Sequence, residues 1–201
     1  MSTLAAPGPL RRGNRLRALV WAGAACLLLL PAVAMWLGVD GVHWTPGDFI
    51  VMGLMLAVAC GLYEVGTRFS GSTAYRAGFA LAVATGLATV WVNLAVGMFG
   101  GEANPINLLF AGVLLVAGAG ALLARFRPRG LAWTMTAAAA AQLLAAALGW
   151  WAALVPVGDG AGGAGPAREA LLVAGFALPW LGAAGLFGYA ALRGVSGRSA
   201  A

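Results

Sequence analysis

Six long apolar stretches, separated by short polar connections, dominate the chain: residues 18–39, 49–67, 77–99, 106–124, 130–155 and 170–192. Each approaches or exceeds the roughly 20 residues a helix needs to cross a hydrocarbon core of about 30 Å. None shows the apolar–polar alternation of a transmembrane strand. Inside lipid every backbone N–H and C=O must be paired within the segment, and a helix does this for an open chain. The pattern therefore predicts an all-α fold: a polytopic transmembrane helical bundle of six spans. A basic segment, 1–17, precedes a single transmembrane domain, 18–193, and a tail, 194–201, follows it.

The polar connections predict an orientation. With the N-terminus inside, the cytoplasmic segments hold Arg11, Arg12, Arg15, Arg17, Arg68, Arg76, Arg125, Arg127, Arg129, Arg193 and Arg198, eleven of the twelve basic residues, leaving Arg168 outside. The positive-inside rule then puts both termini in the cytoplasm. Asp40, Asp48, Glu102, Asp159 and Glu169 fall on the exterior face. The Ala32-Val33-Ala34 triplet after a basic leader resembles a signal-peptidase site, but the apolar run continues through Met35, Trp36, Leu37 and Gly38. An uncleaved first span is expected from that length. The Gly-rich connection 156–166 reads as a flexible linker without chemistry. Asp48, after the turn Trp44-Thr45-Pro46-Gly47, is the expected N-cap of the second span.

Composition narrows the function classes. Of 201 residues, 62% are hydrophobic and 9% charged, far from the roughly 25% charged residues of soluble domains. The net charge of +6 is gathered between the spans, as membrane orientation requires, and leaves no basic face for a nucleic-acid backbone. No nucleic-acid partner is expected. Every basic residue is Arg, so no lysine imine can form with retinal or a carbonyl substrate. Cys26 and Cys60 lie inside apolar runs and read as small packing residues rather than a disulfide. One histidine, His43, is too few for bis-imidazole haem ligation or an intramembrane metalloprotease motif. No cofactor, metal or catalytic set is expected. Trp36, Trp44, Trp150 and Trp151 fall at span ends, as in an interfacial aromatic belt.

Small residues recur at helical spacing: Gly53, Ala57 and Gly61 on the second span, Gly78, Ala82 and Gly86 on the third. Such stripes let helix backbones approach closely in lipid. Intramolecular packing is the default reading, and contact with other membrane proteins or a second copy the alternative. The hairpins 49–99 and 107–155 share a coarse pattern that shared Ala/Leu/Gly composition accounts for.

Polar groups inside the membrane are costly and so are candidate sites. Glu64, beside Tyr63, offers a proton-carrying or substrate-binding carboxylate; its structural reading is an i,i+4 salt bridge to Arg68. Asn93, two residues after Trp91, and Gln142, amid alanines in the fifth span, offer polar pathway positions or interhelical hydrogen bonds worth about 0.6 kcal/mol each. His43, Asp48, Glu102, Asn104 and Asn107 gather oxygen and imidazole groups in two exterior connections. No spacing among them is a recognised ligand pattern, and capping and turn roles account for Asp48, Asn104 and Asn107.

The segment from Thr89 to Leu109, with Asp48-Phe49, Tyr63-Glu64, Thr73-Ala74-Tyr75-Arg76 and the run from Arg125 to Gly130, resembles an uncharacterised family of small bacterial multi-pass integral membrane proteins. The resemblance spans about residues 18–145. It implies the architecture and no activity, cofactor or partner, and it makes Trp91, Asn93, Glu102, Asn104 and Asn107 the first place to look for a site. The expected function is that of a non-enzymatic accessory or scaffold component of the bacterial inner membrane. The alternative is a small transporter or channel using Glu64, Gln142 and Asn93.

Overall fold

The computed structural model describes residues 13–101, 103–154 and 165–199. They form α1 (Gly13–Trp36), α2 (Pro46–Thr67), α3 (Thr73–Ala95), a 3-10 turn (Pro105–Leu108), α4 (Leu109–Leu123), α5 (Pro128–Leu154), α6 (Pro166–Gly175) and α7 (Ala177–Ser199). There is no strand among the described residues. Six helical segments are long and apolar enough to cross a membrane, α6 and α7 together supplying the sixth. The all-α expectation holds, and large apolar side chains such as Leu30, Leu115, Trp133 and Leu171 stand exposed along these helices. In water such surface is an aggregation liability; against lipid it is the matched solvent.

Several boundaries shift for local reasons. The second span begins at Pro46, one residue after Thr45, and Asp48 is its third residue rather than its N-cap. Thr45 and Asp48 form a reciprocal box: the Asp48 carboxylate accepts from Thr45 N (2.7 Å) and Thr45 Oγ1 (2.9 Å), while Asp48 N donates to Thr45 Oγ1 (3.4 Å). That arrangement pairs the Thr45 N–H at the helix start, and Asp48 N also reaches Thr45 O at 3.1 Å. The first span ends at Trp36 with Val39 N bonded to Ala34 O and Gly38 N to Met35 O. This is a Schellman close, and Gly38 takes the left-handed position (φ +69°) that glycine favours. Pro31 sits inside α1 without ending it. The sixth run is not continuous: α6 and α7 meet at Phe176, whose N–H reaches back three residues to Val173 O (3.2 Å). Pro179, which has no N–H, removes the donor that Gly175 O would otherwise receive.

The chain divides into two compact units, 1–64 and 65–201. In the first, α1 and α2 run antiparallel: Arg17 and Trp21 reach Glu64, and a Cβ on Gly53 would lie 3.6 Å from Leu28. In the second, α7 packs along α3 and α5, α4 lies on α5, and α6 lies on α5 as well. Its core runs from Phe110, Val113 and Leu131 through the α5 alanines to Trp180 and Phe187. The Gly78 stripe is used internally: a Cβ on Gly78 would crowd Leu186 and the Ala183 carbonyl of α7, and one on Gly86 would meet Leu114. On α2, by contrast, a Cβ on Gly61 would meet nothing within 4 Å.

Candidate functional site

The second unit has two structured ends and a sparse polar middle. At one end the chain leaves α3 through Gly97, Gly100 and Gly101, all at positive φ, and wraps around the side chain of Asn107, which is 5% exposed. Asn107 Oδ1 accepts from Met98 N (3.2 Å) and Phe99 N (3.0 Å), and its Nδ2 donates to Gly101 O (2.7 Å) and Phe99 O (3.4 Å). One amide thus supplies the loop with the partners that a helix or sheet would otherwise provide. Asn93 Nδ2, near the end of α3, donates to Asn107 O (3.2 Å), tying helix to loop. Asn104 caps the 3-10 turn by accepting from Ile106 N (3.1 Å). Gly100 N donates to Glu169 on α6 (3.3 Å). Phe99 stacks on Phe110 with ring centroids 6.1 Å apart, and its ring fills the space where Gly149 has no side chain. Asn93, Asn104 and Asn107 are therefore brought together, whereas Glu102 lies outside the described residues.

In the middle, Gln142 is fully buried on α5 and donates from Nε2 to Val173 O (3.0 Å), the carbonyl beside the α6–α7 break. A buried amide here serves a helix discontinuity, as membrane interiors demand. Gln142 Oε1, Asn93 Oδ1 and Trp180 Nε1 are buried without a partner among the described residues. The buried threonines Thr85, Thr89 and Thr134 each bond the carbonyl four residues back, a self-contained arrangement.

At the other end Tyr75, fully buried at the start of α3, donates from its hydroxyl to Phe126 O (3.0 Å), 51 residues away. Phe126 lies in the turn between α4 and α5. Its ring stacks on Phe69 at 4.4 Å and tilts against Phe79 at 6.2 Å, while Phe187 meets Tyr75 edge-on at 5.3 Å. Arg76 Nε donates to Ser70 O (3.3 Å), and Arg193 stacks its guanidinium over Tyr189 at 4.8 Å.

In the first unit the sequence pointed Glu64 one turn along its own helix, toward Arg68. The structure instead brings Arg17 Nε and Trp21 Nε1 onto Glu64 Oε1, each at 2.6 Å. Arg17 is 61% exposed and Glu64 16%, so the pair is worth at most about 1 kcal/mol after screening. The fixed positions of α1 and α2 at this point are its main consequence. The Asp48 carboxylate is engaged with Thr45, as above. Among the described residues no group of three His, Cys, Asp or Glu side chains converges as a metal set would.

Sequence reasoning did not find the Tyr75–Phe126, Trp21–Glu64 or Glu169–Gly100 contacts. Each joins positions at least 43 residues apart, and no local spacing encodes such a pair. Chemically, the clusters can position backbone and helix ends; the buried members are amides, hydroxyls and indole, which do not exchange protons near neutral pH. The chain matches no protein-family model, no curated protein and no solved structure.

Proposed function

We propose that this chain is a non-enzymatic accessory or scaffold component of a bacterial cytoplasmic membrane, acting through helix contacts with other membrane proteins or a second copy of itself. One observation carries the reading: Glu64, Asn93, Asn104, Asn107 and Gln142 are each bonded to the protein's own chain. Asn104 and Asn107 hold backbone N–H groups, Asn93 and Gln142 hold carbonyls, and Glu64 holds Arg17 and Trp21. A substrate would have to displace bonds that the fold itself uses or be confined to the two remaining buried acceptors, Asn93 Oδ1 and Gln142 Oε1. The distribution of arginines supports cytoplasmic termini, and the resemblance to small bacterial multi-pass proteins fits the same location. The α2 face around Gly61 supplies a surface of the kind such contacts use, because small residues let a neighbouring helix approach.

The test is in-membrane crosslinking from a single cysteine at position 61, with Cys26 and Cys60 replaced by Ser. A discrete adduct with one membrane protein, lost when Gly61→Leu is expressed in its place with the probe at position 57, is the expected result. Absence of any adduct at both positions contradicts the proposal.

A second reading, a small transporter or channel using Glu64, Gln142 and Asn93, is favoured by the break of the sixth span at Phe176 beside Gln142. Discontinuous helices line the substrate sites of many carriers. Substrate-dependent flux abolished by Gln142→Leu, in protein that remains folded, would decide for it.

A further inference from the structure

The turn between α4 and α5 closes in an unusual way. Phe126 N bonds to Ala121 O (3.2 Å) and Arg125 N to Leu122 O (2.9 Å), the same six-to-one and five-to-two pairing that closes α1. At α1 the left-handed position is Gly38; at α4 it is Arg125 (φ +49°), followed by Phe126, also left-handed (φ +56°). An L side chain with a Cβ is disfavoured in this region, and glycine is the common solution. An arginine at such a position, followed by a second left-handed residue, trades backbone ease for a side chain. The turn is also held firmly: the Tyr75 hydroxyl takes the Phe126 carbonyl, and the Phe126 ring is stacked on Phe69. With Phe126 pinned inward, Arg125, Arg127 and Arg129 alternate outward, all three exposed. None has an ion-pair partner among the described residues.

Depth identifies what meets them. Leu122 and Leu123, in the last turn of α4, are 67% and 85% exposed at the end of an apolar helix long enough to cross a membrane. Arg125, Arg127 and Arg129 follow directly in the chain, where basic residues flanking a span meet the headgroup layer. Guanidinium binds phosphate oxygens in a bidentate fork, and a fixed basic turn at a helix end attracts anionic headgroups at roughly 1 kcal/mol per charge. We propose that the Arg125–Arg129 turn is a docking site for the phosphate headgroups of anionic phospholipids, with Arg125 retained at a glycine-favouring position for that purpose.

The test compares thermal unfolding of the full chain in nanodiscs of phosphatidylcholine and of phosphatidylglycerol. The wild-type midpoint is expected to be higher in phosphatidylglycerol, with the increment shrinking as salt rises. The triple variant Arg125→Gly, Arg127→Gln, Arg129→Gln is expected to lose the increment. Arg125→Gly alone should raise the midpoint in phosphatidylcholine, by relieving the turn, and remove about a third of the increment if the three charges contribute alike. That opposite movement is not produced by a merely structural arginine. Arg168→Gln, on α6, should leave the increment unchanged. Equal wild-type midpoints in the two lipids, an increment undiminished in Arg125→Gly or surviving in the triple variant, or an equal loss in Arg168→Gln would overturn the proposal. So would reproduction of the increment by inorganic phosphate in phosphatidylcholine, which would assign the turn to a soluble anion.

Discussion

Replacing Asn107 by Ala removes the amide around which the α3–α4 connection is wound. The Met98 and Phe99 N–H groups lose their acceptor, and the Gly101 carbonyl loses its 2.7 Å donor. Met98 and Phe99 are 6% and 3% exposed, so water reaches these groups poorly. A buried donor or acceptor left unpaired costs about 1–3 kcal/mol. Three such groups set an upper bound, which local rehydration at a helix end reduces to about 2–4 kcal/mol. For a chain of this size each kcal/mol moves the midpoint by about 2–4 °C, giving a fall on the order of 10 °C. The assay is thermal unfolding followed by circular dichroism in a fixed detergent, with Asn104→Ala as the internal comparison. Asn104 supplies one capping bond, so its loss should cost about 1 kcal/mol. An Asn107→Ala midpoint within 2 °C of the parent, or a smaller effect than that of Asn104→Ala, would refute the assignment of Asn107 as the organiser of this end.

Other substitutions divide structural from functional roles in the same assay. Gly149→Val should prevent folding or lower the midpoint severely, because its Cβ would run into the Phe99 ring, whereas Gly61→Ala should not lower the midpoint, since its Cβ meets nothing within 4 Å and Ala favours the helix. Tyr75→Phe should cost about 1 kcal/mol through loss of the bond to Phe126 O, read as a midpoint lower by a few degrees. Gln142→Leu should change stability by less than about 1 kcal/mol. It discards an acceptor that is buried without a partner among the described residues, and Val173 O keeps the Phe176 N–H.

The spans were legible because lipid makes helix formation a matter of length and hydropathy, properties each segment carries by itself. Local chemistry was partly legible too: the turn Trp44-Thr45-Pro46-Gly47 before Asp48 signalled a helix start, but Asp48, expected as the N-cap, is the third helical residue and bonds back to Thr45. The break at Phe176 was half visible. Pro179 is a helix-breaking residue within the run 170–192, but the helix parts one turn earlier because Gly175 is the residue that loses its donor. The third span stops at Ala95 rather than running to 99, since Met98 and Phe99 give their N–H groups to Asn107 instead of to helix carbonyls. The site residues were harder. Glu64, Asn93 and Gln142 stood out as costly polar groups, but their partners Arg17, Asn107 and Val173 are chosen by the packing of distant segments. Arg125 gave no signal at all, because left-handed geometry at a non-glycine residue is invisible until the turn is seen.

The most direct measurement of the central claim is the mass of the intact assembly extracted in mild detergent from the native membrane, with identification of its components. A stoichiometric complex with another membrane protein, or a defined homo-oligomer dissociated by Gly61→Leu, is the expected result. A monomer that carries a substrate across proteoliposomes, with flux lost in Gln142→Leu, would contradict it.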